Sequence, residues 1–333
     1  MTRVALLVGE SSNRVYADHA RRLLSAELRA IEAALSGPIA SAEPVEIGNV
    51  GWVVVELDDV TDVDRFLLSN LSGTRALFEI EADERFRPLS LDRFERFSDD
   101  LVTIQRYQGK TNELFTHLLL NVTLAASASG RARISAGERA RLLDPVAGRG
   151  TTLNRALLYD MDVTGIEVND ADVEQYRIFL TTWLKDKRLK HQTAKERIRK
   201  GPAAGTSSFT VQIGGGPAVH MVRGSSEDAR TLLPGRRFDL LVGDLPYGVQ
   251  HKAKGGGAPA RSPLEFVEAA IDGWHRLLSD GGALGLAWNL RTLPRADLER
   301  VVTAAGFQVV THPETFEHVV DRSITRDVLV ATR

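Results

Sequence analysis

The chain has 333 residues, 43% of them apolar, with a formal net charge of −2 and no cysteine. That length suits two domains, or one large domain with an appendage. Without cysteine there is no disulfide framework, thiolate metal site or cysteine nucleophile, and without net positive charge a nucleic-acid partner must be met by a local basic patch.

The opening MTRVALLVGESSNRVYADHA is apolar only briefly. It predicts no signal peptide, and no later apolar run reaches membrane-spanning length, so a reducing, cytoplasmic location is expected. Residues 1–100 predict a small α/β domain. RVALLVG reads as a strand, RVYADHARRLLSAELRAIEAAL as a helix, GWVVVELDD as a strand, DVDRFLLSNL as a short helix and TRALFEIEA as a strand. This β-α-β-α-β order predicts a ferredoxin-like half or a variant of it. Proline and charge then gather in RFRPLSLDRFERFSDD, which marks a boundary.

In YQGKTNELFTHLLLNVTLAASA, Gly109 breaks the chain, Thr111 or Asn112 caps, and an apolar helix runs on from Glu113. Residues 101–130 read as a linking helix and 131–333 as a second domain. In that domain strands and helices alternate: ARLLDPVAG, TTLNRALLYD, DVTGIEVN, ADVEQYRIFLTTWLKDKR, then FDLLVGD, PLEFVEAAIDGWHRLLS, GALGLAWN, PRADLERVVTAA and FQVVTHP. The alternation predicts an α/β, Rossmann-like, doubly wound and mostly parallel sheet, whose ligands bind beyond the carboxyl ends of its strands.

LLDPVAGRGTT is a strand, an acid, a proline and a glycine-rich turn opening a helix. Gly148 and Gly150 allow close backbone approach, and the helix amino-terminus offers N–H groups. The next strand ends at Glu167, where an acid hydrogen-bonds ribose hydroxyls in dinucleotide folds. NAD and S-adenosylmethionine (SAM) share that logic. Two details favour SAM: leucine, not a third glycine, stands at 153, and Asp144 precedes the glycines, placed for an ammonium group. In VRGSSEDARTLLP, Asp228 suits the adenine amino group, or else a plain helix cap shared with Ser226 or Glu227.

The stretch LLVGDLPYGVQ ends a strand beside that turn. A planar nucleobase amine needs acceptors in its plane and a ring over its face. The Asp244 carboxylate and the Leu245 carbonyl, held by Pro246, are the acceptors. Tyr247 is the ring, a stack worth about 1–3 kcal/mol per base. The plain alternative is an acid-capped turn with a half-buried tyrosine. KDKRLKHQTAKERIRK, residues 185–200, reads as an extension of the preceding helix that tracks phosphates through Lys187 and Arg188, or equally as a solvated face. HKAKGGGAPARSP, with Lys252, Lys254 and Arg261, reads as a loop closing over a nucleotide, or as a simple connection. Asn289, His318 and Arg322 are further candidates for the cleft, each more often structural. The histidines show no metal-ligand spacing, so no metal is expected.

These motifs resemble the class I, SAM-dependent N-methyltransferases that carry an (Asp/Asn)-Pro-Pro-(Tyr/Phe) signature. Within them the chain is most similar to the THUMP-associated tRNA guanine-N2 methyltransferases. DPVAGRGT matches the family's DPF-x-G-x-G-T, GIEVN its ribose-binding strand and DLPYG its clamp, and RDVLVATR after DRSITR resembles its closing strand. The resemblance covers residues 104–333. It departs at Leu245, where proline is commoner, and the stretch before Glu113 is short for a THUMP module. It implies SAM held by Asp144, Pro145, Ala147, Gly148, Gly150, Thr151, Glu167, Asp228 and Ala229. It also implies catalysis by Asp244, Leu245, Pro246 and Tyr247, and RNA, tRNA first, as partner. The expected reaction is direct methyl transfer to guanine N2, the base being unpaired or flipped. The alternatives are a DNA adenine-N6 or cytosine-N4 enzyme, an rRNA enzyme, or a nucleic-acid-binding protein without turnover. An NAD-dependent oxidoreductase leaves DLPYG unexplained.

Overall fold

The computed structural model describes residues 1–9, 14–107, 109–197, 205–246 and 262–333. The amino-terminal unit comprises β1 (Thr2–Val8), α1 (Arg14–Ala30), β2 (Ser41–Ile47), β3 (Val50–Leu57), α2 (Asp62–Ser69), β4 (Thr74–Ile80) and β5 (Phe86–Leu89). The strands form an antiparallel sheet in the order β2-β3-β1-β4-β5. This is a split β-α-β unit with β5 added, a variant of the ferredoxin-like arrangement that was expected. The strands that the sequence hid, β2 and β5, are the two edges of the sheet, and each contains a proline, Pro44 and Pro88. A proline lacks the N–H a central strand needs, so it reads as a break and is tolerated only at an edge.

The second unit runs through α3 (Asp100–Thr103), α4 (Glu113–Ala126), α5 (Ala128–Ser135), β6 (Arg141–Asp144), α6 (Thr151–Leu158), β7 (Asp162–Glu167) and α7 (Asp170–Asp186). Then come β8 (His191–Arg197), β9 (Ser207–Ile213), β10 (Ala218–Arg223), α8 (Ala229–Leu232), β11 (Phe238–Asp244) and α9 (Pro263–Leu277). It closes with β12 (Leu278–Asn289), α10 (Arg295–Ala304), β13 (Gln308–Val309), β14 (His318–Val319) and β15 (Thr325–Thr332). The sheet order is β13-β15-β12-β11-β6-β7-β10-β9-β8, with β14 paired to β15. The run β12-β11-β6-β7-β10 is parallel, and β15 and β9 flank it antiparallel. The chain winds outward from β6 to β7 and β10, then returns to build β11 and β12 on the other side. The switch point therefore lies between β6 and β11, where a doubly wound sheet opens its cleft.

Consecutive residues of the central strands feed opposite cores. Leu142, Val163, Leu240 and Val242 pack with α4, α6 and α7, while Leu143, Ile166 and Leu241 pack with α8, α9 and α10. The helix α4, expected as a linker, lies in the first of these cores and touches α1 on its far side through Leu23 and Ala26. Burial on both sides explains why it is apolar nearly all round. Two expectations fail here. The basic run does not extend α7, which stops at Asp186; Lys187 caps it, Arg188 turns at φ +54°, and residues 191–197 pair with β9 as a strand. FQVVTHP supplies only the short β13. No helix among the described residues is long and apolar enough to cross a membrane.

A buried polar chain joins the two units. Glu27 of α1 accepts from the Ser72 backbone N–H and from Asn121 of α4. Asn121 Oδ1 accepts from the Tyr159 hydroxyl, which lies 2.6 Å from His117 Nε2. Burial pushes the Glu27 carboxyl up to about 7, against the hydrogen bonds from Ser72 and Asn121. A folded-state value above the unfolded one contributes stability that is full at low pH and is lost as pH rises through about 7. That share is on the order of 3 kcal/mol. Glu27→Gln should therefore flatten the decline in unfolding free energy between pH 5 and 8, read by urea titration. A slope equal to that of the unmodified protein would show that Glu27 does not carry it.

Candidate active site

The end of β6 and the end of β11 lie side by side at the switch point, with Leu240 opposite Leu142 and Leu241 opposite Leu143. Asp144 and Asp244 close these strands. Asp144 is 2% exposed, and its Oδ1 accepts from the Val146 N–H at 3.0 Å. Burial pushes its carboxyl up to about 7, against the Val146 and Thr152 hydrogen bonds and with help from the charges of Asp244 and Glu167. Glu167, at the end of β7, accepts from the Gly148 N–H at 2.9 Å and the Asn169 N–H at 2.7 Å. It thereby ties the glycine turn to the next strand.

The two glycines of the turn do different work. Both have positive φ, +49° at Gly148 and +80° at Gly150. A Cβ on Gly148 would meet no atom of the described residues within 4 Å. A Cβ on Gly150 would lie 2.3 Å from the buried Tyr176 ring, so Gly150 serves packing inside the protein rather than approach to a ligand. The third glycine of a dinucleotide turn has its counterpart on β7: a Cβ on Gly165 would lie 2.9 Å from Leu153 and 2.8 Å from Ala147. Glycine on the strand makes room for leucine on the helix. Pro145 is buried against Gly243 of β11, and the Ala147 N–H bonds the Ile166 carbonyl. Thr151 opens α6, and its hydroxyl lies 3.0 Å from that of Tyr107.

Asp244 is held by two residues that the sequence did not mark for it. The Thr111 hydroxyl donates to Asp244 Oδ2 at 2.6 Å, and Arg326 Nη2 of β15 lies 3.4 Å from the same oxygen. The Arg326 guanidinium sits 4.8 Å over the Phe115 ring. Asn112, next to Thr111, caps α4 through its side chain. One short segment thus starts a core helix and positions the acid. The signals were available: a polar pair ahead of an apolar helix, and the charged pair Arg326 and Asp327 ahead of the apolar run of β15. Leu245 is 2% exposed, lies in the second core, and continues the pairing of β11 through its N–H to the Ala287 carbonyl. Its side chain is a core anchor, which is why leucine serves where proline was commoner. Pro246 is half-buried beside it. Tyr247, Lys252, Lys254 and Arg261 lie outside the described residues.

Tyr107 was also missed. It carries the Arg149 guanidinium 4.9 Å over its ring, and Arg149 is fixed by Asp172 at 2.7 Å. Among the remaining candidates, Asp228 is exposed on the loop after β10, and it is Ser225 whose side chain caps the turn there. Ala229 is fully buried, with its N–H bonded to the Ser226 carbonyl. Lys187 pairs with Asp100, and Lys187 and Arg188 follow the end of α7, about 25 Å of helix away from the cleft. They are not brought to the site. Asn289 organises a turn through Arg291, Ser323 and Thr325. His318 is buried against Tyr16 and Phe115, and Arg322 is exposed. No group of three potential metal ligands occurs among the described residues.

Three carboxylates, Asp144, Glu167 and Asp244, therefore meet at one cleft, close enough that the latter two raise the first. The cleft suits a cationic ligand with hydroxyl groups, beside an acid fixed in direction by a hydroxyl and a guanidinium.

No family model matches the chain, and no curated protein matches it. Among solved structures it is similar to TrmN from Thermus thermophilus, at 14% identity and a TM-score of 0.44, over 100% of both chains. It is also similar to the T. thermophilus 16S rRNA N2 G1207 methyltransferase RsmC, solved with AdoMet and guanosine, at 19% identity over 91% of this chain and 59% of that one, with a TM-score of 0.38. A putative RNA methyltransferase from Pyrococcus horikoshii matches at 16% identity over 72% and 92% of the two chains, with a TM-score of 0.37. These likenesses are distant in both sequence and shape.

Proposed function

We propose that the chain is a SAM-dependent RNA methyltransferase that acts on an exocyclic nucleobase amine, guanine N2 of tRNA being the favoured target. The observation that carries this reading is Asp244, fixed by Thr111 and Arg326 at the switch point, one strand away from the Asp144–Gly148–Glu167 turn. The residues fit SAM. The open space over Gly148 leaves room for a ligand, and the three carboxylates match a ligand bearing a sulfonium and an ammonium. Bound SAM supplies an electrophilic methyl group.

The chain's own residues do the rest. Asp144 pairs with the ammonium, and Glu167 accepts from ribose hydroxyls while bracing the turn. Asp228 serves the adenine edge from its exposed loop. Asp244 accepts an N–H of the target amine and turns the nitrogen lone pair toward the methyl; as the N–C bond forms and the methyl–sulfur bond breaks, leaving a neutral thioether, the carboxylate would take the proton that the nitrogen sheds. Arg326 and Thr111 keep that carboxylate from rotating. Positioning of this kind is worth most when the acid needs no rearrangement during the reaction.

The state of Asp144 predicts a pH dependence. An acid at about 7 in the empty site must lose its proton to pair with the ammonium. SAM affinity should rise by up to about tenfold per pH unit below 7 and level off above it. Asp144→Asn should flatten the profile at low affinity. Calorimetric titration from pH 5.5 to 8.5 checks this, and a flat profile in the unmodified protein would remove Asp144 from that role.

The reading itself is tested by incubating the protein with methyl-labelled SAM and, separately, bulk tRNA, ribosomal RNA and DNA from cells lacking it. Label in the tRNA supports it. Label in ribosomal RNA alone would keep the chemistry and change the substrate, and label in DNA alone would refute the RNA assignment.

A further inference from the structure

A cavity of about 650 Å³ lies between the two units, lined by Gly73, Thr74 and Arg75 from the amino-terminal unit, by Arg93 from the connecting segment, and by His117 and Arg155 from the second unit. Its electrostatics are unbalanced. Arg155 is 7% exposed, its Nε has no hydrogen-bond partner, and its ion pair is with Asp99 at 3.6 Å, an acid whose side chain is 71% exposed. Arg93 donates to the Thr74 carbonyl at 2.6 Å, but its buried Nε has no partner and no ion pair is formed with it among the described residues. The buried Thr74 hydroxyl is likewise without a partner, and Arg75 is exposed at the wall. The two guanidiniums stand near one another. Burial holds the His117 ring well below its ordinary value, and Arg155 and Arg93 add to this. Burial also lowers Arg155, against the pull of Tyr159, Asp99 and Glu113, and Arg93 adds to the lowering. Glu95 and Asp99 reach the lining, and Glu95 is exposed.

Buried like charges with idle donors cost stability unless a ligand completes them. Arginine forks and a hydroxyl match the oxygens of a phosphate ester. The position adds to the argument. Arg155 is one helical turn from Thr151, at the mouth of the glycine turn, and His117 lies in the second turn of α4, the helix that Thr111, which holds Asp244, leads into.

We infer that this cavity is a phosphate-ester subsite, and that Arg93 and Arg155, with Thr74 and Arg75, hold a backbone phosphate of the RNA strand whose base enters the cleft. The identity of the strand as RNA rests on the proposed methyltransferase function; the anion site rests on the cavity alone.

The test compares the full chain with Arg93→Gln and Arg75→Ala, both of residues not fully buried, after circular dichroism has shown each variant folded. Fluorescence anisotropy with labelled tRNA over a series of salt concentrations gives the RNA arm, and melting with and without pyrophosphate gives the small-ligand arm. SAM titration is the control. The expected result for Arg93→Gln is roughly tenfold weaker tRNA binding, a salt slope smaller by about 1, and unchanged SAM affinity. A pyrophosphate shift that Arg93→Gln abolishes, with no tRNA binding even by the unmodified protein, would support the anion site while removing the RNA reading. Unchanged tRNA affinity, unchanged slope and no Arg93-dependent pyrophosphate shift would overturn the inference.

Discussion

Asp244→Asn is expected to slow methyl transfer by roughly 10²–10³-fold, the cost of removing one aligned charge from a reacting centre, while SAM affinity stays nearly unchanged. The split follows from geometry. Asp144, Gly148 and Glu167 gather at the ends of β6 and β7, the side proposed for SAM, whereas Asp244 ends β11 and meets Thr111 and Arg326. Asparagine keeps the shape and an acceptor for Thr111, so the protein should stay folded. Asp244→Ala is the less informative variant. Both variants take the negative charge from beside the 6%-exposed Arg326 side chain, but alanine also withdraws the polar oxygen that asparagine keeps there, and breaking a buried pair outright costs about 3–5 kcal/mol. Lost activity would then be confounded with lost fold. Single-turnover transfer at saturating SAM, with calorimetry beside it, checks the prediction. Turnover by Asp244→Asn at the unmodified rate would end the amine-clamp reading.

The second large effect separates two glycines that look alike in sequence. Gly150→Ala should lower stability by between about 2 and 5 kcal/mol: about 1–2 for a side chain at positive φ, and about 1–3 for overpacking. Its φ is +80°, its Cβ would lie 2.3 Å from Tyr176, and that ring is buried with its hydroxyl bonded to Asn154. The ring has nowhere to go. Gly148→Ala should cost only the backbone term, since no atom of the described residues lies within 4 Å of the added carbon. Its methyl enters the space proposed for SAM, so it should lose the cofactor and keep the fold. Urea unfolding and SAM titration on the pair distinguish the roles. A Gly148→Ala protein with full SAM affinity would show that the ligand lies elsewhere, and a Gly150→Ala protein of full stability would show that Tyr176 relaxes.

The central sheet could be read from the sequence because its strands are short apolar runs closed by acids: LLD at β6, GIE at β7 and LLVGD at β11. Burial on both faces produces such runs, and the acid at the end marks the cleft. The basic stretch at 185–200 misled because lysine, arginine and glutamate favour helices locally. Pairing of residues 191–197 with β9 overrides that preference, and strand propensity follows the neighbour more than the residue. The restraint on Asp244 was hidden for another reason. Thr111 and Arg326 are far from it in the chain, and only the packing of α4 across β11 and β15, with β15 one strand beyond β12, brings them to one oxygen. The glycine turn was half readable. Gly148 and Gly150 carried the signal, but Tyr176 and Leu153, which decide what Gly150 and Gly165 are for, declare themselves only in packing.

The most direct test of the central claim is the chemical position of the methyl group. tRNA methylated by this protein with labelled SAM would be digested to nucleosides and separated by chromatography against standards. Label in N2-methylguanosine is the expected result, since the role proposed for Asp244 is to hold an exocyclic amine. Label on a ribose hydroxyl, a ring carbon or a ring nitrogen would contradict it.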